Sequence, residues 1–150
     1  MLNEKWDKRF IVLAELVGSW SKDPGTKVGA VIVRPDRTIA SVGYNGFPMM
    51  VDDTYTTRDD KLMRTVHAEM NAILSAREPL HDYTIYVSPL FPCSNCAAAI
   101  IQSGIKRVVA VMGEPRVEWI SSFNVAKEMF GQAGIDFWVM GDVRDKAEVE

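Results

Sequence analysis

The alternation of strand and helix is clearest in residues 83–112, which read YTIYVSPLFPCSNCAAAIIQSGIKRVVAVM. Residues 83–87 and 106–112 are mostly apolar and rich in β-branched side chains, a composition that favours buried strands. Between them, residues 94–103 form an alanine-rich run of helix formers, and Gly104 follows as the residue type that commonly ends a helix. This part of the chain therefore predicts a strand, a helix and a second strand.

The segments on either side continue the alternation. Helices are predicted over residues 3–20, 67–77 and 117–130, and strands over residues 28–33, 38–44 and 135–139, the first two strands as a hairpin. The polar stretch 45–66 is predicted as a long loop, and a loop of that length inside a compact domain usually has a function. The resulting order predicts an α/β protein, a sheet of five strands with helices on both faces.

Composition excludes several classes of protein. The chain has 150 residues, the length of one domain, and no repeat or linker divides it, so we expect a single domain over residues 1–150. Lys and Arg number 17 against 20 Asp and Glu, which weighs against a nucleic-acid-binding protein. No apolar run approaches the roughly 18–20 residues of a membrane span, and residues 1–10 lack the apolar core of a secretion signal. We therefore expect a cytoplasmic protein with no nucleic-acid or membrane partner.

The two cysteines and one of the two histidines stand at predicted helix starts. His67 opens one helix, and Cys93 and Cys96 open the next. Imidazole nitrogen and thiolate sulfur are ligands that zinc selects, and two cysteines three residues apart lie on nearly the same side of a first helical turn. Helix N-termini also lower the pKa of nearby thiols, and the thiolate is the form that binds a metal. Three ligands with no obvious fourth are typical of a catalytic zinc that keeps an open position for water.

Glu69 follows His67 by two residues, so both side chains can point past the start of the same helix. A carboxylate there is well placed to take a proton from water, whose pKa a metal can lower from 15.7 toward about 7. Each residue alone has a simpler explanation: the CxxC pair as a redox dithiol, His67 as a core or surface histidine, and Glu69 as an acid favoured by the helix dipole. Their joint occurrence at two successive helix starts is improbable by chance.

The H-x-E…P-C-x-x-C pattern is the signature of zinc deaminases. The chain resembles the cytidine/deoxycytidylate deaminase family from residue 21 to about residue 111. The similar segments are residues 21–31 (SKDPGTKVGAV), 43–48 (GYNGFP), 67–74 (HAEMNAIL) and 90–109 (LFPCSNCAAAIIQSGIKRVV). They are most similar to the deoxycytidylate (dCMP) deaminase branch. The resemblance implies a three-layer α/β/α cytidine-deaminase-like fold with a five-stranded mixed sheet.

The resemblance also implies an activity, the zinc-dependent hydrolytic deamination of dCMP to dUMP with release of ammonia, which supplies dUMP for thymidylate synthesis. His67, Cys93 and Cys96 would hold one catalytic zinc ion. Glu69 would carry a proton to N3 of the ring and then to the departing amino group. The alternatives are a zinc deaminase of another amino-base (cytidine, guanine or adenosine in tRNA) and a CxxC metal or redox module without turnover.

The resemblance further suggests how the nucleotide would be bound. Asn45 matches the asparagine of the family that contacts the sugar, although Asn45-Gly46 also favours a tight turn. The backbone N–H of Ala68 is expected to meet the pyrimidine edge. Ser88, Pro89 and Phe91 run into the zinc helix and are expected to line the base pocket, with a core position as the alternative for Phe91.

Charged residues of the polar segments suggest two further sites. Arg58, Lys61 and Arg64 have a spacing that places them on one side of a helical segment, where they would bind the 5′-phosphate unless they are solvated surface charges. Lys22, Asp23, Asn45 and Gly46 match segments of the effector pocket in the family, where dCTP activates and dTTP inhibits, and Mg²⁺ would accompany such a triphosphate.

The chain departs from the family pattern at residues 49–66, which are short and contain no cysteine. A second, structural zinc held in that segment by many relatives is therefore excluded. Ala97-Ala98-Ala99 follows the second cysteine, where the family commonly has a basic residue. His81 is predicted to lie on the surface. Because the family usually assembles as dimers or hexamers, we expect a homo-oligomer.

Overall fold

The computed structural model describes residues 2–141. Its elements are α1 (Glu4–Gly18), β1 (Gly29–Val33), β2 (Ile39–Tyr44), α2 (Arg58–Arg64), α3 (Ala68–Ser75), β3 (Thr84–Ser88), α4 (Ser94–Gln102), β4 (Arg107–Val111), α5 (Val117–Gln132) and β5 (Asp136–Met140). All the predicted elements are present, with ends that differ by a few residues. The addition is α2, inside the segment predicted as a loop. Its N-cap Thr57 accepts a hydrogen bond from the backbone N–H of Asp60, which satisfies one of the free donors of the first turn.

The five strands form one mixed sheet in the order β2-β1-β3-β4-β5. β1 is antiparallel to both β2 and β3, while β3, β4 and β5 are parallel to one another. The parallel pairs require long crossovers, which α4 and α5 supply. The predicted hairpin of β1 and β2 and the predicted mixed sheet are both confirmed.

The two faces of the sheet are covered unequally. On one face, α1 packs through Phe10, Ile11, Ala14 and Val17 against a set of strand residues that includes Val31, Val33, Tyr86, Val109 and Val111. The other face carries α3, α4 and α5, which cover Ala30, Ile32, Ile85, Val87, Val108 and Ala110. Neighbouring residues of a strand point to opposite faces, so each central strand contributes to both cores. The three-layer arrangement is therefore confirmed.

Two glycines let helices lie directly on the hairpin. A Cβ at Gly43 would lie 2.4 Å from the backbone nitrogen of Ala72 and 2.5 Å from the carbonyl oxygen of Ala68, both in α3. A Cβ at Gly29 would lie 1.9 Å from the carbonyl oxygen of Ala14 in α1. The close contact at Gly43 fixes the height of α3 above the sheet, and with it the residues at the start of α3.

A buried polar cluster joins α1 to the sheet. Asp7 is 1% exposed and accepts hydrogen bonds from Tyr86 Oη at 2.7 Å, from Arg107 Nη1 at 2.9 Å and from Arg107 Nη2 at 2.7 Å. Burial raises the pKa of Asp7, but these hydrogen bonds outweigh burial and hold that pKa below its ordinary value. Sequence patterning did not predict this cluster, because its members are up to 100 residues apart in the chain.

The turn from α4 to β4 follows the prediction. Gly104 has a φ of +85°, the left-handed conformation that glycine adopts without strain after a helix. His81 is exposed, as expected, and its ring lies against Gly104. Within residues 2–141, no helix has the length and apolar character needed to cross a membrane.

Candidate metal centre and active site

His67, Cys93 and Cys96 meet where α3 and α4 begin. His67 is the N-cap of α3, Cys93 is the N-cap of α4, and Cys96 lies in the first turn of α4. The Nδ1 atom of His67 lies 3.4 Å from each of the two sulfur atoms. All three donor atoms lie within 4.8 Å of one another, so one ion can contact all of them. The structure therefore brings together the three ligands that the sequence proposed.

The donor set fits zinc. It offers one imidazole nitrogen and two sulfurs, the combination that zinc accepts in tetrahedral sites, and two thiolates would balance the charge of the ion. Within the described part of the chain, this is the group of His, Cys, Asp and Glu side chains whose geometry suits a metal. Three protein ligands leave one position open, as in catalytic zinc sites.

Protonation of the cluster also favours a metal. A hydrogen bond from Cys96 lowers the pKa of Cys93 to about 4, with His67 contributing and burial opposing. The pKa of Cys96 is raised, first because of its hydrogen bond to Cys93 and then because of burial. A hydrogen bond with Cys93 raises the pKa of His67. These directions favour a thiolate at Cys93, and a cation bound to both sulfurs would replace the proton of the pair.

Glu69 lies in the first turn of α3 and is 4% exposed. Burial raises the pKa of its carboxyl group. A carboxylate whose pKa is raised is a stronger base than an ordinary one, so it is suited to accept a proton and return it. Glu69 and His67 face the same cavity, as their positions at the helix start predicted.

This cavity has a volume of about 170 Å³ and is formed by loops and helix starts. Its lining includes Asp23, Thr26, Asn45, Arg58, Lys61, Thr65, His67, Ala68, Glu69, Leu90, Phe91, Cys93, Glu114, Arg116 and Trp119. Three predicted substrate contacts, Asn45, Ala68 and Phe91, are therefore at the cavity. Ser88 and Pro89 lie at the end of β3 and do not line it.

Two of these contacts also have structural roles. Phe91 is 2% exposed and packs edge-to-face against Phe130 and Phe137, with ring centroids 5.9 and 5.8 Å away. The side chain of Asn45 accepts a hydrogen bond from the backbone N–H of Val28 and donates one to the carbonyl oxygen of Thr26, both at 2.9 Å. Phe91 thus belongs to the core as well as to the cavity wall, and Asn45 secures the loop before β1.

The three basic residues proposed for phosphate all have acidic partners. Lys61 Nζ lies 2.8 Å from an oxygen of Asp23, and Arg58 Nη2 lies 3.0 Å from an oxygen of Glu118. Arg64 pairs with Asp60 at 2.8 Å and does not line the cavity. Arg58 and Lys61 are thus at the cavity with their charges already compensated.

Sequence reasoning missed Arg116 and Trp119. Arg116 is the N-cap of α5, lines the cavity and has no acidic partner among residues 2–141. The ring of Trp119 lies edge-on to the imidazole of His67, with centroids 6.3 Å apart. The sequence did contain a signal for both residues: residues 115–119 (PRVEW) begin a predicted helix that follows a predicted strand. Helix N-termini near strand ends commonly bind anions and other ligands.

A second cavity of about 200 Å³ adjoins the first. Lys22, Asp23 and Gly46, the residues matched to the effector segments of the family, line it. Four aromatic side chains, Trp20, Tyr44, Phe47 and Tyr55, complete much of its wall. The structure thus groups these residues at one site, separate from the metal ligands.

Comparison with known proteins gives a family and a set of relatives. The family described as the cytidine and deoxycytidylate deaminase zinc-binding region matches residues 4–112. An uncharacterized deaminase encoded in the luxG 3′ region of Aliivibrio fischeri is 48% identical over 144 residues, covering 93% of this chain and 97% of that protein. A probable deoxycytidylate deaminase of Caenorhabditis elegans is 42% identical over 140 residues, covering 89% of this chain and 68% of that protein.

A deoxycytidylate deaminase of Homo sapiens is 35% identical over 142 residues, covering 89% of this chain and 78% of that protein. Among solved structures, the dCMP deaminase of cyanophage S-TIM5, crystallised with dCMP and dUMP, superposes with a TM-score of 0.77 at 24% identity. The superposition covers 93% of this chain and all of that one. At this identity the likeness shows the fold.

Proposed function

Because this chain belongs to the cytidine and deoxycytidylate deaminase family, we propose that it removes the amino group of dCMP by hydrolysis, giving dUMP and ammonia. The observation that carries the proposal is the cluster of His67, Cys93 and Cys96 beside the cavity that the buried Glu69 lines. The relatives named as deoxycytidylate deaminases, at 35% to 42% identity, favour dCMP over other amino-bases. The dUMP formed would supply thymidylate synthesis.

The metal and the carboxyl group have separate tasks. His67, Cys93 and Cys96 would hold zinc, which when bound makes water a nucleophile at neutral pH. Glu69 takes a proton from the attacking water and delivers it to N3 of the ring, while the water oxygen bonds to C4. Glu69 then moves the proton left on that oxygen to the amino nitrogen, the C4–N bond breaks, the oxygen forms a double bond to C4 and ammonia leaves.

The cavity walls orient the nucleotide. The backbone N–H of Ala68 is in the first turn of α3, where amides have no helical partner, and it can donate to the pyrimidine edge. Trp119 and Phe91 provide apolar surface for the ring. The Oδ1 atom of Asn45 accepts one hydrogen bond, from Val28, and can accept a second, so a sugar hydroxyl can donate to it without releasing the loop.

Arg58 and Arg116 are proposed to bind the 5′-phosphate. Both line the cavity, and Arg116 stands at the N-terminus of a helix of 16 residues, whose dipole adds positive potential there. Bidentate donors match phosphate oxygens well. Arg58 would exchange its exposed contact with Glu118 for the substrate, a change that costs little because exposed ion pairs are weak.

The proposal also covers regulation and assembly. The second cavity, with Lys22, Asp23 and Gly46, would bind a dCTP activator or a dTTP inhibitor together with Mg²⁺. Val12, Leu16 and Trp20 of the α1 region are more than half exposed, and apolar surface of this kind supports a homo-oligomer, a dimer or a hexamer. A cytoplasmic location completes the proposal.

The test is ammonia release from a panel of substrates: dCMP, CMP, deoxycytidine, cytosine, guanine and tRNA. We expect dCMP to give the highest kcat/KM, with deoxycytidine lower because it lacks the phosphate. A higher value for any other member would overturn dCMP as the substrate.

A further inference from the structure

The two cavities share four lining side chains, which come from three segments of the chain. Asp23, Asn45, Lys61 and Thr65 line both of them, so these side chains form a wall with a cavity on each side. One of these segments is the loop of residues 21–28, which contributes Asp23 to the wall. The position of Asp23 therefore helps to set the shape of the catalytic cavity.

Two residues of this wall, Asp23 and Lys61, form an ion pair. Lys61 Nζ donates to Asp23 Oδ1 at 2.8 Å, and the two side chains are 11% and 8% exposed. The same carboxylate oxygen accepts a hydrogen bond from the backbone N–H of Gly25 at 2.8 Å. Asp23 thus holds the turn of its own loop and ties that loop to α2.

A second set of hydrogen bonds ties the same loop to the end of β2. Ser21 Oγ donates to the carbonyl oxygen of Asn45 at 2.7 Å, and Asn45 bonds in turn to Thr26 and Val28. The orientation of the Asn45 amide therefore depends on where the loop lies. Among residues 2–141, this loop is held from outside by the side chains of Lys61, Asn45 and Asp53, of which Asp53 forms only an exposed pair with Lys22.

We propose that Asp23 and Lys61 act as a positioning pair: their ion pair sets loop 21–28, and through it Asn45, for binding of the nucleoside part of the substrate. This inference rests on the proposed function, and it gives Lys61 a role other than binding phosphate. If Lys61 bound the phosphate instead, the nearly buried carboxylate of Asp23 would lose its positively charged partner. It would also lie close to the two negative charges of the phosphate. Breaking a buried pair in this way is strongly unfavourable.

The test uses matched isosteric variants, Lys61→Met and Asp23→Asn, with dCMP as substrate. A positioning pair predicts that each variant raises KM roughly tenfold, the size of one lost charge-assisted hydrogen bond, while kcat stays within about twofold. The KM of the double variant should not exceed the higher of the two single-variant values, because the two residues act as one unit. Lys27→Met removes an exposed charge from the same loop and should leave KM unchanged.

A phosphate ligand predicts the opposite for one variant. Asp23→Asn would then free Lys61, and KM for dCMP would fall or stay the same; that result overturns the inference. Amide hydrogen exchange gives a readout that needs no substrate: both variants should speed exchange at Gly25 and Val28, and unchanged exchange there also overturns it. A wild-type protein that releases no ammonia from dCMP would refute the proposed function, while the exchange measurement would still decide the role of the pair.

Discussion

The Nδ1 atom of His67 lies 3.4 Å from the sulfur of Cys93, although 26 residues separate the two in the chain. They meet because each is the N-cap of its helix, and α3 and α4 start at the same place on one face of the sheet. The donor set therefore depends on the packing of α3 and α4 as well as on the ligands themselves. This dependence leads to predictions for residues at the site and for residues beneath it.

The two histidines of the chain provide a matched pair for testing metal binding. His67→Ala removes one of three donors and should lower the zinc content, measured by elemental analysis, well below about one ion per chain. His81→Ala alters the exposed histidine and should leave zinc content unchanged. Full zinc content in His67→Ala would show that the metal lies elsewhere.

Gly43→Ala should displace α3, because the new Cβ would lie within 2.5 Å of backbone atoms that cannot rotate away. Overpacking of this kind is expected to lower the free energy of unfolding by about 3 kcal/mol and to reduce zinc content as well. Gly131 is an exposed residue of α5, and nothing lies within 4 Å of a Cβ added there. Gly131→Ala should therefore raise the free energy of unfolding by roughly 0.5–1 kcal/mol. Chemical denaturation measures both, and equal stability of the two variants would contradict the close packing of α3 on β2.

Asp7→Asn should lower the free energy of unfolding at pH 7 by about 3 kcal/mol, because it removes the buried negative charge that pairs with Arg107. The pKa of Asp7 is depressed in the folded state, so its contribution is complete above the unfolded value of about 3.9 and is lost as pH falls through the folded value. The difference between wild type and Asp7→Asn should therefore shrink below about pH 4. Asp53→Asn, which removes the exposed partner of Lys22, should leave stability unchanged. A difference for Asp7→Asn that grows on acidification would contradict this account.

Arg116→Leu tests the phosphate contact. Loss of a charge-assisted hydrogen bond should raise KM for dCMP roughly 10- to 100-fold and leave the kcat/KM of deoxycytidine unchanged. Lys106→Met also removes one positive charge, but from an exposed position outside both cavities. It should change neither the KM for dCMP nor the kcat/KM for deoxycytidine. Equal losses for dCMP and deoxycytidine would show that Arg116 shapes the cavity instead of binding the phosphate.

The sequence was most informative where chemistry depends on neighbouring residues. Two local patterns mark helix starts, His67-Ala68-Glu69 and Cys93…Cys96. The short apolar segments that form β1, β3 and β4 are local features as well. These features predicted the sheet, its covering helices and the metal cluster. Burial of Glu69 in the structure adds a physical reason for its raised pKa.

Contacts between distant segments could not be read from the pattern. The pairing of Lys61 with Asp23 joins residues 38 apart, and Arg107 reaches Asp7 across 100 residues. The short helix α2 was missed because its residues are polar and no apolar repeat marks it. Arg116 and Trp119 belong to the site only because α5 begins beside α3, which depends on the packed sheet.

The most direct test measures zinc per chain and ammonia released from dCMP on the same samples of wild type and Glu69→Gln. Glu128→Gln, an exposed change on α5, serves as the control. We predict full zinc in all three proteins, equal rates for wild type and Glu128→Gln, and a rate lower by about 10²–10⁴-fold in Glu69→Gln, because proton transfer is lost while the metal is kept. A zinc-loaded Glu69→Gln protein that deaminates dCMP at the wild-type rate, or a zinc-loaded wild type that releases no ammonia, would contradict the account.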